Sequence, residues 1–153
     1  MRPPFAAAAL TTSLLLAAGL PGAPAWGDAV YHSQHLALRP VGSAPLTAGF
    51  VENIHTDGPT VYAMERYALV GARPGSYTVT LHLFADTSCA TVIGPFPSIT
   101  FATNAVGNAV GHLRLPPSAI PAGFHGLTIG IAWELAGDSG ASYDTACATV
   151  VLD

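Results

Sequence analysis

The stretch Ser76–Ala85, "SYTVTLHLFA", decides the fold class. Tyr77, Val79, Leu81 and Leu83 fall on one side of an extended chain, and Thr78, Thr80, His82 and Phe84 fall on the other. A period of two is the signature of a strand with one buried face. The pattern returns in "GLTIGIAWEL", where Leu127, Ile129, Ile131, Trp133 and Leu135 oppose Thr128, Gly130, Ala132 and Glu134. Further strands are expected over 60–70, 98–103, 108–115 and 145–152, with edge strands over 33–40 and 50–55. Beyond the first two dozen residues no helical stripe appears.

Turn chemistry separates these segments. "TDGP" (Thr56–Pro59) and "GARPGS" (Gly71–Ser76) supply Pro and Gly where a turn sets its backbone angles. "TNAVGN" (Thr103–Asn108) reads as a hairpin, and "LPPSAIPAGFHG" (Leu115–Gly126) as a longer connection between sheets. Seven or eight short strands at such intervals predict a single antiparallel, immunoglobulin-like β-sandwich, with a β-barrel as the alternative.

Residues 1–25 read as a signal peptide. Arg2 precedes the apolar run Phe5–Leu20, Pro21 and Gly22 break it, and "APA" (Ala23–Ala25) offers small residues for cleavage after Ala25. Gly27 and Ala29 satisfy the same rule. Removing 25 of 153 residues leaves 128 (26–153), the size of one domain. No second apolar segment of that length follows, so stable membrane insertion after cleavage is not expected.

Four Arg then face nine acidic residues, a formal charge of −5, and Lys is absent throughout. So few cations release few counterions from a phosphate backbone, which argues against nucleic acid as a partner and against anionic membrane surfaces. Cys89 and Cys147 both lie in the exported part and predict a disulfide. A crosslink closing 58 residues (89 to 147) contributes about 4 kcal/mol in the chain-entropy account. Trp133 stands 44 residues after Cys89, unlike the immunoglobulin Cys-Trp-Cys order.

Several residue sets invite chemistry. "GDSG" (Gly137–Gly140) with the order His55, Asp86, Ser139 matches trypsin-like serine proteases over four residues only. Ala141 and Ser142 then replace that family's Gly and Pro, and one small domain cannot supply two barrels. We therefore expect a plain loop and no catalytic residue, a Ser139 hydrolase being the alternative function. Asp138 and Asp144, with Ser139 and Ser142, form an oxygen-rich loop that suits weak extracellular calcium, a further alternative.

His32 and His35 have a helical spacing in a segment read as coil or strand. His82 and His112 could approach one another only if their strands were neighbours, and two ligands do not complete a zinc site. Met64 lacks the Cys a blue-copper site needs. No metal or other cofactor is expected. Among Glu52, Glu65 and Glu134, Glu65 with Arg66 reads as a strand-edge or surface pair. Tyr62 shares a face with Met64 and Arg66, opposite Val61, Ala63 and Tyr67, and is the aromatic residue most suited to an exposed binding role.

"ERYALVGARPGSYTVTLHLFADTSC" (Glu65–Cys89), "TNAVGNA" (Thr103–Ala109) and "YDTACATVVLD" (Tyr143–Asp153) resemble small exported bacterial β-sandwich proteins that carry no assigned activity. The resemblance implies a fold and an exported location and specifies no chemistry. The expected function is that of a secreted or periplasmic, non-enzymatic module. It would bind a protein or glycan at a loop end or an exposed sheet edge.

Overall fold

The alternation is realised as nine antiparallel strands in a computed structural model that describes residues 31–56, 63–119 and 122–152. In chain order they are β1 (Tyr31–Pro40), β2 (Ala48–Thr56), β3 (Ala63–Val70), β4 (Ser76–Phe84), β5 (Val92–Ala102), β6 (Ala109–Leu115), β7 (Leu127–Gly137), β8 (Ser142–Thr145) and β9 (Ala148–Leu152). Two short 3-10 turns, Pro117–Ala119 and Ala122–Phe124, punctuate the passage from β6 to β7. The signal-peptide segment, Trp26, Tyr62 and most of "TDGP" lie outside the described residues.

The hydrogen-bonded path runs β5-β4-β7-β8-β1-β2-β3-β6, with β9 beside β7. It is one antiparallel sheet curled into a half-barrel. Strand β1 makes it continuous. Residues Tyr31–Ala37 pair with β2, and Leu38–Pro40 pair with β8. The segments 33–40 and 50–55 are therefore interior strands, not the edges expected of them. Their polar residues belong to an outer face and leave both backbone edges free to pair.

Curling brings the inner faces of β3 and β7 together. Val51, Tyr67 and Leu69 from one half meet Tyr77, Val79, Ile131, Trp133 and Leu135 from the other in a single core. Each fully buried aliphatic side chain in it contributes about 1.5–3 kcal/mol. Tyr77 and Val79 are completely buried while Thr78 is exposed, as the period-two pattern demands.

"TNAVGN" does not close a hairpin, since β5 pairs with β4 and β6 pairs with β3. It crosses from one half to the other, as the β3–β4 connection does, and the two crossings bond to one another. Ala72 N–H donates to Gly107 O at 3.0 Å, Gly71 N–H to Asn108 Oδ1 at 2.9 Å, and Thr103 N–H to Gly75 O at 3.0 Å. At Gly107 a Cβ would lie 1.8 Å from Ala72 O, with φ at +77°, so only glycine fits where the crossings touch.

The last segment is a broken strand. Strand β8 pairs with Glu134–Ala136 and β9 with Leu127–Ile131 of the same neighbour. The break at Ala146–Cys147 turns Cys147 towards Cys89, and the predicted disulfide is present, with Cα atoms 6.0 Å apart. It pins the loop after β4 onto the outer face. A Cβ on Gly130 would lie 2.4 Å from Asp86 O and 2.9 Å from Cys89 Sγ.

Candidate functional site

The outer face of β2, β3 and β6 carries a groove of about 330 Å³. Register builds it. Glu52, Arg66 and His112 stand in one row across the three strands, and Ile54, Met64 and Arg114 stand in the next. Alternation turns these six outward, while Val51 and Tyr67 point into the core. Ile54 and Met64 make an apolar floor, and Arg66 and Arg114, with the His112 imidazole between them, form a rim of hydrogen-bond donors.

Arg66 is held from two sides. Its Nη1 lies 4.0 Å from Glu52 Oε2, and its guanidinium sits 5.5 Å from the Phe50 ring centroid. His35, one strand further on β1, covers the same ring at 4.5 Å. Arg114 has no ion pair among the described residues. Two of the four Arg outside the signal segment thus meet on one face of a net-acidic chain.

Glu65 is not a surface partner of Arg66. It is 3% exposed and faces the core between Ala63 and Tyr67. Tyr67 Oη donates a hydrogen bond to Glu65 Oε2, and Trp133 Nε1–H donates to the same oxygen at 3.2 Å. Buried Asn53 stands directly across the ladder. Burial raises the Glu65 pKa above 4.5, against the pull of the two donors, and the same burial with the adjacent carboxyl raises Tyr67. Parity was the available signal, because Glu65 is an even number of residues from Ala63 and Tyr67. This group bolts β3 to β7.

On the opposite outer face, Glu134 accepts from Ser142 Oγ at 3.4 Å and lies 3.2 Å from His82 Nε2. Asp144 is opposite Glu134 in the ladder, and desolvation, then Glu134, raises its pKa. A carboxylate between a hydroxyl and an imidazole is not the order in which a base activates a nucleophile.

Ser139 caps the β7–β8 turn, where its carbonyl accepts from Arg73 Nη1 at 3.4 Å and Asp138 N–H donates to Ser76 O. Asp86 lies at the other end of β4, beside Gly130. Seven residues from Gly130 to Gly137 at about 3.3 Å each put these ends over 20 Å apart. His55 pairs in the ladder with Ala63 and His32, at the end of β2 away from the crossings. The fold therefore does not assemble His55, Asp86 and Ser139.

The loop carboxylates are not gathered either. Asp138 leans towards Gly75 while Asp144 stands beside Glu134. His35 packs against the Phe50 ring on the outer face. His82 and His112 are on strands of different halves. Among the described residues no group of three or more His, Cys, Asp or Glu side chains could hold a metal ion.

One edge of the sheet, β5, is poorly suited to strand addition. Strand β5 ends the path, and its Pro95 and Pro97 lack the N–H an incoming strand would use. Further along β5, Ile99 and Phe101 lie against Gly111 of β6, at the other end of the path. Asp86 organises the neighbouring loop, accepting from Ser88 Oγ–H and from the N–H groups of Ser88, Ala90 and Thr91. Those bonds hold its carboxyl well below the usual carboxylate range. No helix among the described residues is long and apolar enough to cross a membrane. No family, curated protein or solved structure matches the chain.

Proposed function

We propose that the chain is an exported, non-enzymatic binding module that engages a partner through the outer-face groove of β2, β3 and β6. The observation that carries this is the collection of Arg66, His112 and Arg114 around Ile54 and Met64 in an otherwise acidic chain. An exposed apolar floor ringed by polar groups is the usual composition of a binding surface. The prolines of β5 weigh against strand addition at that end of the sheet. Export, to the periplasm or beyond, rests on the leader-like residues 1–25 and on the oxidised cysteine pair.

The finer architecture we read as a two-layer, immunoglobulin-like sandwich with β1 shared between its layers. Tyr77 supports this. It opens β4 after a crossing between halves, and its hydroxyl donates to Arg73 O, four residues back, at 2.6 Å. A tyrosine corner in immunoglobulin-like domains has that form, although there a Cys follows two residues on and here Val79 does.

The binding face is tested by placing a photo-crosslinking residue at Met64 or at Thr78, which is exposed on the opposite face, in the exported protein in its native cells. A partner adduct from position 64 and none from 78 is expected. Adducts from 78 alone would remove the groove from consideration.

A further inference from the structure

We infer that the groove takes an acidic, aliphatic peptide segment of the partner, whose carboxylate is clamped by Arg66, His112 and Arg114; this rests on the binding face proposed above. The clamp follows from register. Arg66 and His112 are direct ladder partners, with Cβ atoms about 5 Å apart, and Arg114 is diagonal to Arg66 at about 7–8 Å. Three donors at such corners converge on one carboxylate, and the guanidinium fork suits that group in particular.

The rim has charge to spare. Two outward Arg face one outward Glu, and the Glu52–Arg66 contact, at 4.0 Å, is at the outer limit of an ion pair. Arg66 is further steadied over Phe50, so its remaining N–H groups are already oriented when a ligand arrives. Met64 stands opposite Arg114 in the ladder, so the anion and an apolar group of the ligand are required about one strand spacing apart. Adjacent acidic and aliphatic side chains of a peptide meet that demand.

A sugar meets it less well. Sugar rings stack on free aromatic faces, and the Phe50 ring is already covered by Arg66 and His35. No Trp or Tyr shares the groove among the described residues. Nucleic acid is disfavoured by two guanidiniums acting alone in a chain without Lys.

The test titrates the oxidised protein with a blocked peptide of alternating Leu and Glu, and with its Leu–Gln counterpart, following the Met64 methyl and Arg114 side-chain NMR signals. Both signals are expected to move with the acidic peptide, and the amide peptide to bind about tenfold more weakly. That factor is what one charged contact at about 1.4 kcal/mol provides. Arg114→Gln, at an exposed position, and Arg66→Gln should each weaken the acidic peptide about tenfold and leave the amide peptide unchanged. Salt at about 0.5 M should erase most of the difference.

Equal binding of the two peptides at the groove would overturn the carboxylate clamp and leave the face standing. Movement of the same signals by an acidic oligosaccharide, with the peptides silent, would overturn the peptide class. Movement of signals only on other strands would remove the face as well. Silence from every ligand would overturn the peptide class, and the crosslink from Met64 would then decide the face independently.

Discussion

Glu65 is the sharpest point of leverage on stability. Burial raises its pKa above the ordinary 4.5, so the folded chain holds this proton where the unfolded chain has released it. A raised carboxyl pKa means that stability is fullest below pH 4.5 and falls as pH climbs through the window up to the folded value. Within that window one proton changes stability by about 1.4 kcal/mol per pH unit. Glu65→Gln keeps an oxygen for Tyr67 Oη and Trp133 Nε1 but has no proton to lose. Glu65→Leu deprives Trp133 Nε1–H of its acceptor, costing about 1–3 kcal/mol, and takes the Glu65 oxygen from the Tyr67 hydroxyl, costing about 1 more.

Urea denaturation of the disulfide-intact protein from pH 4 to 8 separates these terms. Wild type minus Glu65→Gln should decline as pH rises from 4.5, and Glu65→Leu should lose about 2–4 kcal/mol at pH 4. Taking the difference cancels Asp144, whose raised pKa acts in the same direction, and Asp86, whose lowered pKa acts only below its ordinary range. A difference that stays constant or grows with pH would refute the reasoning, because it would mean that the carboxyl is ionised in the fold and that the two donors outweigh burial.

Replacing Cys89 and Cys147 by Ser should cost about 4 kcal/mol in denaturant, as expected for opening a 58-residue loop. Gly107→Ala must move the crossing at Ala72 and adopt a left-handed φ, so a loss above about 2 kcal/mol is expected in thermal unfolding; an unchanged midpoint would show that the crossings slide freely. Tyr77→Phe removes the hydrogen bond to Arg73 O and should cost about 1 kcal/mol while leaving peptide binding at the groove intact. Because Asp86 and Ser139 are at opposite ends of β4, a fluorophosphonate should leave Ser139 unlabelled in intact-mass measurements, and a stoichiometric adduct would contradict that separation.

Local chemistry made several features legible in advance. Alternation in Ser76–Ala85 and Gly126–Leu135 is set by neighbours two residues apart, and it marked both the all-β class and the inward set Tyr77, Val79, Ile129, Ile131, Trp133 and Leu135, while Leu127 on the same side of the pattern is exposed where β7 begins. Two cysteines admit one intramolecular pairing, so Cys89–Cys147 followed from counting. Parity placed Met64 and Arg66 outside and Ala63 and Tyr67 inside, and applied consistently it places Glu65 inside as well.

Partnership between distant strands was the part that local pattern could not carry. Whether "TNAVGN" closes a hairpin or crosses between halves depends on what β6 pairs with, and its partners on β3 are 40 to 52 residues earlier in the chain. Whether 33–40 is an edge depends on β1 serving β2 with one segment and β8 with another. The groove has the same origin. Glu52, Arg66 and His112 come from three strands and become one row only through register, so no motif in the chain announces them. Side-chain alternation is a property of each strand alone, whereas a binding face is assembled by hydrogen-bond ladders between strands, and only the tertiary structure sets those.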